Sequence, residues 1–463
     1  MTILLFNLPA SEPDRRFLTA VAGACAAVGV RLVVANPKDR GDGLELVPTC
    51  FELPKRTVAR GDESAAGVEE AVLAQCRYRG VDASAEEVPG WRRGAAALAA
   101  AQGVLLDELR PALCLFWNGY FPSQPTAIAA AKARGIPVAY VERAPLPGFV
   151  YLDRDGLMAD SALRRRLVAE REVPASDRAL EAYAAVRLAI VEQGQTWWAQ
   201  SGEAAEDPWG DEVERVGRVL FAGQVDNDTQ NYLFSPHFAG GLEAVSAFAG
   251  LAAERGVSGA VGKHHPMADV TVEALAEAFE PAGRWLDGLP LDGLLRRATH
   301  VAGVNSGVLF EAMLQGKPVL TMGRTLLSGV GCFYEWGPGE EGVMEGWLAG
   351  DELELRVRRF EHAVARCLED GFYGIDGLGL NGAEAFVDRL VSWCDPARSA
   401  GTAGGGLPRY RRAFRRVQTP RRGARLKWWL NRAGRSARGW FETRSASAAA
   451  AGVGDGRERS VVP

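Results

Sequence analysis

Val301-Ala302-Gly303-Val304-Asn305-Ser306-Gly307-Val308-Leu309-Phe310-Glu311-Ala312-Met313-Leu314-Gln315-Gly316-Lys317-Pro318-Val319 decides the fold class. An apolar run enters a turn of small residues, continues as a short amphipathic segment, stops at a glycine and resumes as a second apolar run. That pattern predicts a strand, a helix and a parallel strand. The free N–H groups opening the helix, the Ser306 hydroxyl and the helix dipole together make a phosphate site that needs no metal. The plainer alternative is a helix-capping serine in an ordinary strand-to-helix turn.

Working outward, the same alternation continues on both sides. Upstream, residues 218–225 and 258–266 read as strands, and 241–255, 270–279 and 291–297 as helices. Residues 300–305 and 318–323 are the strands of the opening motif, 308–315 is its helix, and 353–368 and 383–393 are helices beyond it. In the first half, 3–8, 31–36, 112–118 and 137–142 are continuous apolar runs, as expected of parallel strands covered on both faces. Helical patterns at 13–28, 91–110 and 123–135 separate them, and a longer one spans 175–201 with the pair Trp197-Trp198. The architecture that fits is α/β, with two doubly wound, Rossmann-like domains facing a cleft. The acidic, glycine-containing stretch 202–210 marks the boundary, giving a first domain over 1–205 and a second over 212–400. Residues 401–463 form a basic tail whose last part reads as disordered.

Composition agrees. A chain of 463 residues with 47% apolar and 24% charged residues is an ordinary globular protein of at least two domains, which excludes a disordered, collagen-like or coiled-coil chain. No run of about 18 uncharged apolar residues is present, and the first residues carry no basic segment ahead of their apolar run, so a cytoplasmic protein is expected. Seven cysteines occur without CxxC or Cys/His clusters, which removes zinc fingers and thiol redox motifs. The net charge of −5 hides an asymmetry: residues 401–463 hold 15 basic against three acidic residues, leaving the first 400 at −17. An acidic body with its basic charge confined to one tail speaks against nucleic-acid binding.

Three further stretches carry chemistry. Lys263-His264-His265-Pro266 ends a predicted strand, where open α/β sheets place ligands, and its cationic groups suit a phosphate. Gln224-Val225-Asp226-Asn227-Asp228-Thr229-Gln230 follows the first strand of the second domain; Asp226 and Asp228 there can bind a hydroxyl, act as bases or attack an anomeric carbon. In the first domain, Asn118-Gly119 and Glu142-Arg143-Ala144-Pro145-Leu146-Pro147-Gly148 both lie at strand ends. Glu142 is placed either to act as acid or base across the cleft or to pair with Arg143.

Taken in order, WNG, VERAPLPG with DRDG, GQVDNDTQ, KHHP and GVNSGVLFEAMLQGKPVLTMG resemble the capsule polysaccharide biosynthesis family of bacterial retaining β-Kdo transferases. The resemblance covers about residues 110–335, and SGVGCFYEWG at 328–337 extends it. It implies a GT-B glycosyltransferase that moves Kdo from CMP-β-Kdo with retention, and no metal. By the family's pattern His265 and Ser306 hold the CMP phosphate, with Lys263, His264, Asn305 and Gly307 as neighbours and Gln224 beside them. Asp228 maps to the nucleophile, with Asp226 two residues away; Glu142, next to Asn118, acts on the acceptor hydroxyl. VERAPLPG lacks a glycine after the Glu-x pair and DRDGLM lacks an asparagine after its glycine, so the departures fall on the acceptor side. The acceptor expected is a saccharide or a lipid-linked saccharide in capsule or lipopolysaccharide synthesis. The basic, tryptophan-containing tail would either rest on the anionic inner face of the cytoplasmic membrane or pack back on the body. Rival readings are a CDP-glycerol-type polyol-phosphate transferase, a UDP-sugar GT-B enzyme in which Glu311 binds ribose, and a non-catalytic assembly protein.

Overall fold

The computed structural model describes residues 1–7, 11–37, 44–55, 57, 59–194, 208–209, 217–225, 228–238, 240–337, 339–395 and 407–418. The first half runs β1 (Thr2–Phe6), α1 (Glu12–Ala27), β2 (Arg31–Asn36), β3 (Glu45–Pro48), α2 (Val68–Arg79), α3 (Val88–Leu109), β4 (Leu113–Trp117), α4 (Gln124–Ala133), β5 (Val138–Arg143), β6 (Phe149–Asp153), α5 (Ala162–Ala169) and α6 (Asp177–Arg187). Then come β7 (Val219–Ala222), α7 (Thr229–Phe234), α8 (Gly241–Glu254), β8 (Ala260–Lys263), α9 (Val272–Phe279), β9 (Gly283–Leu286), α10 (Leu291–Arg297), β10 (His300–Gly303), α11 (Val308–Leu314), β11 (Val319–Thr321), β12 (Tyr334–Glu335) and α12 (Glu341–Ala349). The chain finishes with α13 (Leu353–Asp370), β13 (Phe372–Gly374), α14 (Ala383–Trp393) and α15 (Pro408–Val417).

Two sheets result. The second has the order β12-β11-β10-β7-β8-β9 and every pairing in it is parallel. The first has the order β13-β6-β5-β4-β1-β2-β3, parallel from β3 to β5. Each sheet therefore reverses its winding once, between β1 and β4 in the first and between β7 and β10 in the second, and such reversals open a crevice at the carboxyl ends of the strands. The strands are what their sequences dictate: Leu113–Trp117 is buried throughout, because helices cover both faces of the sheet. Two Rossmann-like sheets in one chain are the GT-B arrangement that the sequence implies.

The domain limits differ from expectation in one respect. Residues 212–400 do not form one lobe, because β13 pairs antiparallel with β6 of the first sheet, Phe372 opposite Tyr151, and the apolar face of α14 joins the core under β1. Tyr373, Phe386, Val387 and Leu390 supply that contact, and covering the α1 side of the first sheet is the hydrophobic reason for the return. The tail differs too: its first part is α15, packed on α3. The pair Trp197-Trp198, nearly all of the predicted boundary and residues 419–463 lie outside the described residues. Among the described residues no helix is long and apolar enough to cross a membrane.

Candidate active site

The mouth of the second sheet is built at its reversal. Gln224 follows β7 and Asn305 follows β10. The Gln224 side-chain amide donates to Asn305 Oδ1 at 2.6 Å, and the Asn305 backbone N–H donates back to Gln224 Oε1 at 3.3 Å. This exchange fixes both turns and sets Ser306 next to them. The turn is tighter than its sequence suggests. Val308 N–H donates to Ser306 Oγ at 3.4 Å, Leu309 N–H to the Ser306 carbonyl at 3.1 Å and Phe310 N–H to the Gly307 carbonyl at 2.9 Å. The N–H groups that open α11 are thus largely engaged locally, and the Ser306 hydroxyl is the polar group left to meet a ligand. Burial, with a smaller contribution from Asp292, pushes the Glu311 carboxyl up to about 7.

The KHHP segment leaves β8, which pairs with β7 on the side away from β10. Lys263 Nζ donates to the His264 carbonyl at 2.6 Å, and burial lowers its pKa. His264 points inward: its Nδ1 accepts from Trp285 Nε1 at 3.3 Å. Gly262 makes room for that indole, since a Cβ there would stand 2.1 Å from Trp285 Cε3. His265 Nδ1 accepts the Met267 N–H at 3.1 Å, so the neutral ring carries its proton on Nε2. Burial, then Lys263 and His264, lower the His265 pKa to about 4. At neutral pH His265 is a neutral hydrogen-bond donor.

The first sheet presents acids and amides instead. Glu142, near the end of β5, accepts from Asn118 Nδ2 at 2.7 Å and from the Arg143 backbone N–H at 2.9 Å. Burial raises its carboxyl to about 7 against those hydrogen bonds and the Arg143 charge, and Asp228 adds to the rise. Arg143 does not form the side-chain ion pair with Glu142 that the sequence allowed. Its Nε donates to Asp14 Oδ2 at 2.9 Å, and Asp14 is fully buried in the first turn of α1. Asn7, just past β1 with φ 64°, is 4% exposed, and neither end of its side-chain amide has a hydrogen-bond partner among the described residues.

Two contacts join the mouths. Asn118 Nδ2 also donates to Thr229 Oγ1 at 2.9 Å, and Thr229 Oγ1 reaches Asp228 Oδ1 at 3.5 Å. A hydrogen-bonded line therefore runs from Glu142 through Asn118 and Thr229 to Asp228. Gly307 in turn lies against the first-half loop, where a Cβ would stand 2.9 Å from the Pro145 carbonyl oxygen. The structure thus brings Glu142, Asn118 and Asp228 to one place and groups Gln224, Asn305, Ser306 and Gly307 at the facing mouth. Lys263 and His264 are turned into the protein. Asp226 lies outside the described residues.

Sequence reasoning missed Thr229, Asp14, Asn7 and Trp285. Thr229 adjoins Asp228 and its position was a signal. Asp14 stands 129 residues before its partner Arg143, and no local pattern connects them.

Residues 175–340 match the family described as capsule polysaccharide biosynthesis protein. The match covers about a third of the chain. The matched segment contains the Gln224–Gln230, Lys263–Pro266 and Asn305–Gly307 stretches, while Asn118 and Glu142 precede it. No curated protein matches the chain. Similar solved structures include the β-Kdo 2,7 transferase of Thermosulfurimonas dismutans KpsC, at 14% identity over 69% of this chain and 95% of that one, with a TM-score of 0.40. The β-Kdo 2,4 transferase of the same KpsC is similar at 16% identity over 55% and 79%, with a TM-score of 0.35. The UDP-GlcNAc 2-epimerase of Neisseria meningitidis is similar at 12% identity over 85% and 100%, also with a TM-score of 0.35.

Proposed function

We propose that the protein is a retaining glycosyltransferase that moves Kdo from CMP-β-Kdo to a saccharide or lipid-linked acceptor during capsule or lipopolysaccharide synthesis. The observation that carries this reading is the line Glu142–Asn118–Thr229–Asp228, which sets two carboxylates from opposite mouths on one cleft. Asp228 attacks the anomeric carbon, forming a C–O ester bond as the bond to the CMP phosphate breaks. The acceptor oxygen then displaces Asp228 from the opposite face, and Glu142 takes the hydroxyl proton. Two inversions give retention. A carboxylate held near 7 suits a base working at neutral pH. Ser306 Oγ and His265 Nε2 hold the leaving phosphate by hydrogen bonds, without a metal. Lys263 lies too deep to reach it directly and adds positive charge behind His265. The enzyme works at the inner face of the cytoplasmic membrane, held there by its basic C-terminal region.

Titration calorimetry with CMP and with UDP, in the absence of divalent metal, tests the nucleotide assignment. CMP is expected to bind in preference to UDP, and His265→Ala and Ser306→Ala are each expected to weaken it about tenfold, the loss of one hydrogen bond to a charged group. Preference for UDP would shift the reading to a UDP-sugar enzyme, for which the buried Glu311 beside the Ser306 turn is a ribose ligand. Binding of neither nucleotide would leave a non-catalytic assembly protein.

A further inference from the structure

We propose that the outward face of α15 is a docking surface for an anionic lipid membrane. This deepens the membrane placement proposed above and rests on it. Over Pro408–Val417 the helix carries five arginines and no acid. Tyr410, Phe414 and Val417, spaced four and three residues apart, are 0%, 2% and 0% exposed and face α3. Both ends are fastened. The Glu108 carboxylate accepts the Arg409 and Tyr410 N–H groups at 3.0 and 2.8 Å, and the Tyr410 hydroxyl donates to the Pro48 carbonyl. At the far end the Arg416 carbonyl accepts from Ala59 N–H at 3.2 Å and Thr57 Oγ1 at 3.1 Å.

With its apolar side committed to the body, α15 has no face left to insert between acyl chains. What it offers is charge. Arg409, Arg411, Arg412, Arg415 and Arg416 are exposed; the Arg409 charge is felt by Asp107, and among the described residues no carboxylate forms an ion pair with the guanidinium groups of the other four. Arginines elsewhere on the body behave differently: Arg31, Arg92, Arg134 and Arg165 each hold a carboxylate. A rigid cationic plate on a body whose first 400 residues sum to −17 turns one side of the molecule toward an anionic surface, because the remaining surface is repelled. The sequence that follows adds further arginines interleaved with Trp428, Trp429 and Trp440. Tryptophan suits the headgroup layer of a bilayer, which favours lipid over a soluble polyanion.

The experiment compares full-length wild type, Arg411→Gln/Arg412→Gln/Arg415→Gln and Trp428→Ala/Trp429→Ala by co-sedimentation. The probes are vesicles of equal parts phosphatidylglycerol and phosphatidylcholine, with pure phosphatidylcholine vesicles as control. Wild type is expected to bind the anionic vesicles only, and less so as salt rises. The triple arginine variant is expected to lose about a hundredfold in partitioning, with Tm and CMP affinity unchanged. Unchanged partitioning of the triple variant, or a loss confined to the tryptophan variant, overturns the assignment to α15. Wild type that ignores anionic vesicles overturns the membrane placement as well, while CMP binding still decides the transferase reading separately.

Discussion

The two sheets share a winding and differ in what they hold at the reversal. The second sheet's strand ends carry Ser306, a neutral His265 and the Gln224–Asn305 pair, with Lys263 behind His265, a set whose polar groups suit the anion proposed above. The first gathers Glu142 and Asp14 with amides and a single guanidinium, a set that accepts protons and hydroxyl hydrogens. One backbone plan thus serves opposite chemistry, because the strand-end residues rather than the strands face the cleft. Each side also holds buried polar atoms without partners among the described residues: Asn7 and Asp14 Oδ1 in the first half, Asn231 Oδ1 and Thr321 Oγ1 in the second.

The comparison is broken most sharply at Asp228. Asp228→Asn should lower turnover by about a thousandfold or more while CMP affinity stays within about twofold, measured by single-turnover transfer and calorimetry. Near-normal turnover would remove the nucleophile assignment and favour a polyol-phosphate transferase, which needs none. Glu142→Gln should lower turnover by about a hundredfold. In wild type the rate should climb with pH through about 7 as Glu142 loses its proton, and the Gln variant should lack that rise.

The same group leaves a mark on stability. Its folded pKa is raised, so the folded protein holds the proton more tightly than the unfolded chain, and stability falls as pH rises from about 4.5 to 7. Thermal melts across that window should fall less steeply for Glu142→Gln; Glu311 and Glu335, raised in the same way, keep part of the fall, and His265 and His300, lowered by burial, oppose it. The smallest effect is expected at Asn7. Asn7→Gly removes two buried polar atoms that have no partner among the described residues and suits the φ of 64°, so it should raise stability by about 1 kcal/mol, or about 2 °C in Tm. A lower Tm would mean that a bound water satisfies the amide.

Much of the second mouth was legible in the chain. Continuous apolar strands, a small-residue turn and a glycine stop are local patterns, and Gln224, His265, Asn305 and Ser306 each lie within a few residues of the strand end that positions them. The first mouth was legible only in part. Glu142 and Asn118 stood at strand ends, but Asp14 could not be connected to Arg143, nor Thr229 to Asn118, because such pairs depend on which strands become neighbours. The tail shows the same limit. Its charge and aromatic content were plain, and whether its helix packed on the body or lay free depended on an apolar strip of α3 about 300 residues earlier in the chain.

The sequence by itself therefore determined the α/β alternation, the doubly wound sheets and the residue types at each strand end, since all of these follow from periodicity and turn chemistry over short windows. Only the tertiary structure decided that β13 and α14 return to the first sheet, that Arg143 turns to Asp14, and that Asn118 and Thr229 connect two carboxylates across the cleft. Those outcomes depend on burial and on hydrogen bonds between segments far apart in the chain, where no local preference acts and only the closed packing of the whole body selects a partner.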